Sequence, residues 1–375
     1  FPRSFWAALL SGAALTSAGL TGYNNQWGCC ARDIDAKFTT DAPYLSLNLA
    51  SGPFDVDAGV RHETFRSKGV YAGPKQVPGG LDVNGDGKID GAETNVFVAD
   101  MANPGKVDYK IHYTSYSLGL NYRLNNDLSL FVRHSKGYRA VADRLLFSPF
   151  IDTATGALTA YGKTIAAAPV KQSEIGLKFR GRTDMVNYNI AATLFKSTSE
   201  EYSYDQTRQD DPNKPGFQGP KLDVRGYKAT GLELETGATV GNLGLNANLV
   251  YSDETLASSL FNPASVGKTQ GGVPKWRYTI SPRYAIGDAV IGATIRGNTW
   301  VYADDNNVRK VDGHFIVSAF VNYDFGRNIT GSLNVNNLFD KVYPAAGTGF
   351  VSGSNTIVGG AETGRTISAT VKYAF

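Results

Sequence analysis

The sequence predicts an all-β protein, a transmembrane antiparallel β-barrel, from three observations. Apolar and polar residues alternate at period two from residue 41 to the C-terminus, the alternating segments are joined by connections that are short and long in turn, and helical patterning is scarce. Composition agrees. Of 375 residues, 42 are Gly and 15 Pro, while Tyr 20, Phe 19 and Trp 4 make the chain 11% aromatic and Met is nearly absent at 2. A hydrophobic content of 42% with a mean hydropathy of −0.23 is too polar for a bundle of membrane helices, each of which needs roughly 20 apolar residues in a row. Length alone would allow two soluble domains or one large all-β body; the Gly and Pro punctuation favours the second.

Residues 1–40 read as an extracellular segment leading into the barrel, and 41–375 as the barrel itself. Within the first, the apolar run 5–20 behind Arg3 resembles the core of a secretory signal. A short loop helix or the end of an earlier strand accounts for it as well, and we take that reading. Strands then follow near 41–49, 54–65, 107–124, 127–137, 170–181, 185–199, 222–237, 243–253, 274–286, 289–302, 313–325, 328–338 and 365–375, about thirteen in all. In each, one face is apolar and the other polar, as a two-sided strand requires. Leu118, Leu120, Tyr122 and Leu124 oppose Gly119, Asn121 and Arg123; Ile175, Leu177 and Phe179 oppose Glu174, Gly176, Lys178 and Arg180; Ile367, Ala369, Val371, Tyr373 and Phe375 oppose Thr366, Ser368, Thr370 and Lys372.

Periodicity does not separate a soluble sandwich from a membrane barrel; connection length does. Short turns fall at Ser51-Gly52-Pro53, Asn125-Asn126, Arg182-Thr183-Asp184, Gly241-Asn242, Gly287-Asp288 and Gly326-Arg327, and between them lie long polar connections near 66–106, 138–169, 200–221, 254–273, 303–312 and 339–364. Outer-membrane barrels have short periplasmic turns and long extracellular loops. The C-terminus is thereby placed at the periplasmic side, in the outer membrane of a Gram-negative cell. A closed barrel also explains the polar face, which lines a wet lumen while the apolar face meets lipid and no backbone edge is left unpaired.

The sharpest chemical motif lies in the 66–106 connection. Residues 82–93, DVNGDGKIDGAE, match the calcium-loop pattern at every specified position. Oxygens from Asp82, Asn84 and Asp86, the carbonyl of Lys88, Asp90 directly or through water, and a bidentate Glu93 would supply the six to eight oxygens that Ca2+ takes. Pro78-Gly79-Gly80 argues against an incoming helix, so an isolated structural calcium loop is expected, ordering the connection rather than sensing. The alternative is a solvated Asp/Asn/Gly loop without metal.

The only two cysteines, Cys29 and Cys30, are adjacent, which suits an exported chain. They form a vicinal disulfide or each pairs with a cysteine elsewhere; adjacency strains the ring. Net charge is +3, from 37 basic and 34 acidic residues without long basic runs, which speaks against nucleic acid as a partner. His62, His112, His134 and His314 are dispersed and form no metal or HExxH cluster, and Ser265-Val266-Gly267-Lys268 matches S-x-x-K without its partner motifs. No catalytic set is expected.

Several segments, in order, carry a family resemblance: Leu130 to Arg139 (LFVRHSKGYR), Glu174 to Lys178 (EIGLK), Gly231 to Glu235 (GLELE), Val273 to Arg277 (VPKWR), Asn334 to Tyr343 (NVNNLFDKVY), and Gly364-Arg365-Thr366 before a final strand ending in Phe375. Together they resemble the barrel of TonB-dependent outer-membrane receptors. The resemblance implies a barrel of about 22 strands filled by an N-terminal plug. The chain would be its C-terminal part, with the plug, about nine strands and the TonB contact supplied by a longer protein or by a second chain. It also implies active uptake of a scarce nutrient (siderophore, vitamin or oligosaccharide), the TonB complex as a partner, and an aromatic C-terminal residue that resembles the barrel-assembly signal. Tyr202, Tyr204, Asp205, Arg208, Trp300 and Asp304, placed in loops, could bind such a ligand by stacking and hydrogen bonds; ordinary loop surface is the alternative. A passive porin and a barrel enzyme are the rival readings.

Overall fold

A computed structural model of the chain describes residues 33–80, 82, 86–95, 97–141, 145, 150–209, 220–260, 262–343, 349–350, 357–358 and 361–374. Cys29, Cys30, the apolar run 5–20, Asn84 and Phe375 lie outside the described residues.

The strands are β1 (Asp33–Asp41), β2 (Tyr44–Ser51), β3 (Phe54–Ala72), β4 (Pro74–Gln76), β5 (Phe97–Ala99), β6 (Gly105–Arg123) and β7 (Leu128–Ala140). After the one-turn helix α1 (Ala160–Ile165) come β8 (Ala167–Arg182), β9 (Val186–Gln209), β10 (Pro220–Val240), β11 (Leu243–Ser259), β12 (Trp276–Ile286) and β13 (Ala289–Asn298). The chain continues through β14 (Val301–Tyr302), β15 (Lys310–Val311), β16 (His314–Gly326), β17 (Ile329–Asn336), β18 (Gly349–Phe350), β19 (Ile357–Val358) and β20 (Thr366–Tyr373). One antiparallel sheet runs in chain order, β1-β3-β6-β7-β8-β9-β10-β11-β12-β13-β16-β17-β20, with β2 also on β3. β1 and β2 lie end to end along β3, at Thr64–Ala72 and Phe54–Arg61, so the sheet is a meander thirteen strands wide. The break between them falls at Pro43, which has no N–H to give to a ladder and sits on an edge strand, where proline is tolerated. Along the described residues β1/β2 and β20 are the two edges of an open sheet.

Local chemistry sets the short turns. Gly52, Gly241 and Gly287 have φ of +56°, +55° and +54°, and the β16–β17 turn places Arg327 and Asn328 at +51° and +63°. Positive φ at turn positions, here including Gly326 at +73° before Arg327, gives the hairpins the twist of their strands.

The apolar face is turned out. Leu118, Ile175, Leu194 and Val371 are 56%, 59%, 57% and 76% exposed although they sit mid-strand, which in a soluble sheet would be a wide aggregation surface and in a bilayer is the lipid contact. The opposite face carries ionic ladders: Arg123 meets Asp55 at 3.4 Å and Arg133 meets Asp57 at 3.0 Å. Toward the end bearing the long connections, that inner face becomes apolar. Phe65, Val107, Tyr109 and Ile111 are buried in one cluster with Val141, Leu145, Phe150, Leu158 and Ile165 of the β7–β8 connection.

Three boundaries move. The first strand begins at Asp33, so residues 33–40 belong to the sheet rather than to the leading segment. β3 and β6 reach Ala72 and Gly105, which shortens the 66–106 connection and leaves a small β4–β5 hairpin on top of it. β9 and β10 run to Gln209 and from Pro220, far into what the sequence shows as a loop. Beyond the apolar band neither face meets hydrocarbon, so the hydrogen-bonded ladder continues without the alternation that makes a strand visible in sequence.

Candidate functional site: an inner cavity and a calcium-type loop

The inner faces of β10 to β13 and β16 enclose a cavity of about 880 Å³ at the end bearing the long connections. Period two decides what lines it. On β11 and β12 the lipid-facing residues are Leu249, Tyr251 and Ile280, so Asn248, Val250, Arg277 and Thr279 point in; Arg296 and Asn298 of β13 and His314 and Ile316 of β16 follow suit. The roof consists of two connections knitted together. Asn307, in the left-handed region at φ +58°, accepts from the Thr269 N–H at 2.9 Å and donates to the Thr269 carbonyl at 2.7 Å. Lys268 donates to the Asn306 carbonyl at 3.0 Å, and Gly272 N–H to the Tyr302 carbonyl at 2.7 Å.

Charge inside the cavity is mixed. Arg225 meets Asp305 at 2.7 Å with both half-buried, and Asp305 also accepts from Gly271 N–H at 2.9 Å, which fastens the roof to β10. Arg296 meets Glu362 at 3.1 Å, fastening the last long connection to β13. Arg277 has no ion pair among the described residues and faces the cavity with Glu201, Asp304 and Asp312. Burial pushes the Tyr227 hydroxyl up to about 12, so it stays a neutral donor throughout the physiological range. The set suits non-covalent recognition of a polar ligand carrying both acceptor and donor groups.

Of the residues expected to bind ligand, Asp304 lines this cavity. Trp300 stands beside it with Lys310 Nζ 3.8 Å from its ring centroid and Tyr302 against it edge-on at 5.1 Å. Tyr202 is not a loop residue: it lies on β9, 3% exposed, in the cluster with Ile165 and Ala166, and its hydroxyl donates to Glu200 at 3.1 Å. The adjacent Glu201 faces the cavity instead. Tyr204 and Asp205 pair with Leu222 and Lys221 on the outer part of β9, and Arg208 lies further along it. Sequence reasoning missed Arg225, Arg277, Arg296 and Glu362. The first three were legible as inward positions of their strands; nothing local marks Glu362.

In the calcium-type loop the turn is formed as its pattern requires. Asp82 accepts from the N–H groups of Asp86 at 3.2 Å and Gly87 at 2.8 Å, Asp86 accepts from Lys88 N–H at 2.8 Å, and Gly87 has φ +81°. Glu93, 6% exposed, sits on a single 3₁₀ turn, Gly91–Asn95, its N–H bonded to the Asp90 carbonyl at 3.0 Å. Lys88 and Asp90 are exposed. Among the described residues no group of three or more His, Cys, Asp or Glu stands ready around one point. The loop's donor types and turn fit Ca2+, but its carboxylates are not gathered. The histidines form no metal cluster among the described residues: His62 and His112 stack with ring centroids 6.1 Å apart, His134 faces outward, bonded to Ser173 at 2.9 Å, and His314 stacks on Tyr343 at 4.5 Å.

The model of the TonB dependent receptor-like β-barrel family matches residues 7–338. This chain belongs to that family. Among TonB-dependent receptors, it is 23% identical over 254 residues to an uncharacterized one of Haemophilus influenzae, covering 63% of this chain and 65% of that protein. It is 21% identical over 315 residues to the probable TonB-dependent siderophore receptor PiuA of Acinetobacter baumannii, covering 83% of this chain and 38% of the relative. The crystal structure of the ferric yersiniabactin uptake receptor FyuA from Yersinia pestis superposes with a TM-score of 0.60 at 17% identity, over 91% of this chain and 46% of FyuA. The chain thus spans two thirds or less of these TonB-dependent receptors, and the likeness to FyuA is one of fold.

Proposed function

We propose that the chain is the C-terminal portion of a TonB-dependent receptor that carries a scarce nutrient across the outer membrane, and that the cavity above β10–β13 and β16 receives the cargo. The observation that supports this most is the pairing of an outward apolar face with an inward, roofed, polar cavity at the end where the long connections gather. In this reading the TonB complex is the energy-coupling partner, acting through a part of the receptor outside these strands, and family membership supports it. The physical need for that partner is linkage: a site tight enough to capture dilute cargo requires a second source of free energy to release it. The names of PiuA and FyuA make a ferric chelate the cargo class to test first.

Such a chelate presents carboxylate, phenolate or hydroxamate oxygens at its rim. Arg277 is the guanidinium free to meet them, and Asn248 and Asn298 supply neutral hydrogen bonds. The 82–93 loop is read as a structural calcium site in which Asp82, Asn84, Asp86, the Lys88 carbonyl, Asp90 and Glu93 hold the ion. Bound Ca2+ would offset carboxylate repulsion and part of the ordering entropy of this connection.

Uptake of radiolabelled ferric chelates into cells carrying the full-length receptor tests the proposal. Uptake should vanish without TonB, and Arg277→Ala should weaken cargo binding about tenfold, roughly 1.4 kcal/mol. Uptake that persists without TonB would make the protein a passive pore.

A further inference from the structure

The outward face changes character one or two positions above the apolar band. On β7, Val132 gives way to His134 and Lys136; on β8, Ile175 gives way to Ser173 and Lys171; on β9, Leu194 is followed by Lys196; on β10, Leu232 gives way to Thr230 and Lys228. Register joins these into one patch. Lys136 lies directly opposite Lys171, Lys171 opposite Thr198, Thr198 opposite Lys228, and Lys196 bridges Ser173 and Thr230.

Directly opposed like charges are unfavourable in a sheet, and here no described ion pair relieves the cost. Among the described residues, no carboxylate forms an ion pair with Lys136, Lys171, Lys196 or Lys228. On this face Glu200 is engaged by the Tyr202 hydroxyl, and Asp253 on β11 is held by Lys275 at 2.9 Å. Tyr138 gives Lys136 a neutral partner, a side-chain hydrogen bond with its ring 4.9 Å away, and no countercharge. Opposed cations recur on the same face toward β1, where Arg66 faces Lys110 and Lys37 faces Lys68, but there Asp41 lies 3.9 Å from Arg66 and Asp108 is opposite Lys68. The uncompensated part is therefore the stretch across β7 to β10. Neighbouring strands are about 4.8 Å apart, so four ammonium groups lie within roughly 15 Å along the bilayer surface.

We infer that this patch binds the phosphate groups of an outer-leaflet glycolipid, the lipid A of lipopolysaccharide, whose acyl chains lie on Val132, Ile175 and Leu194 below. The inference rests on the barrel reading above, which places this end outside. Three features favour that occupant: the cations stand at headgroup height beside an exposed apolar wall, they are multiple, as a bisphosphorylated headgroup requires, and they face lipid rather than the lumen where cargo passes. Phosphate bridging Lys136 and Lys171 replaces their repulsion with charge-assisted hydrogen bonds.

The test uses the full-length receptor in detergent, with native mass spectrometry reading retained lipid. Bisphosphorylated lipid A should stay bound, lipid A stripped of phosphate should be retained at least tenfold less, and retention should fall as salt rises. The triple variant Lys136→Gln, Lys171→Gln, Lys196→Gln should lose retention at least tenfold, whereas Lys178→Gln, on the inner face of β8, should behave as the parent. Equal retention of phosphorylated and phosphate-free lipid, or an unchanged triple variant that still shows the gel-mobility shift of a folded barrel, overturns the inference. Failure of the barrel reading looks different: the parent protein would then not fractionate with the outer membrane at all.

Discussion

Gly231 faces the inner side of β10, where Phe195 of β9 lies directly opposite it. A Cβ built there would stand 2.1 Å from the Tyr251 carbonyl and 2.5 Å from the Phe195 ring, so the ring occupies the space that a side chain would take. Aromatic cover of a strand glycine is a recognised way to pin register. Gly231→Val should destabilise the barrel by about 1–3 kcal/mol through overpacking, seen as a lower temperature for loss of the folded gel band. Glu254 makes a second residue-scale case. It lies on β11 past the girdle pair Tyr251 and Trp276, whose rings are 4.8 Å apart, and burial raises its pKa, with Arg277 only partly opposing. A carboxyl whose folded pKa is above its unfolded one costs stability when ionised, and that cost disappears as pH falls through the folded value. Glu254→Gln should therefore be more heat-stable than the parent at neutral pH, with the difference closing in mild acid.

At the scale of elements, the β4–β5 hairpin carries the 82–93 loop as a cap over β3 and β6, tied at its base by Lys75 and Asp100 at 3.7 Å. If Ca2+ orders this cap, replacing Asp82 and Glu93 with Ala leaves the sheet intact while trypsin cuts within 66–106 several times faster, and a chelator has the same effect on the parent. Equal cleavage in all three samples removes calcium from the account. The motif was legible because a calcium loop is contiguous in sequence. The inner cavity was not legible as a site, because its walls come from β10 to β13 and β16 and its roof from two connections joined by contacts such as Asn307 to Thr269, 38 residues apart.

For the whole molecule, the arrangement that matters is which rim faces the medium. In a background with Cys29 and Cys30 replaced by Ser, a cysteine at Thr153 should react with a membrane-impermeant maleimide on intact cells, and one at Asp184, in the β8–β9 turn, should react only after the outer membrane is opened. Labelling in the reverse order would turn the barrel upside down and place the lysine patch among inner-leaflet headgroups.

Strand number, the identity of the lipid face and the alternation of turns were determined by sequence alone, because each depends on neighbours two residues apart or on the φ a turn residue tolerates. Tertiary structure decided what happens above the apolar band, where no lipid enforces alternation. It set how far β9 and β10 extend, buried Tyr202 while exposing Glu201 to the cavity, and joined Arg225 to Asp305 across 80 positions. Those outcomes follow from register between distant strands, and register sums many ladder contacts that no single segment contains.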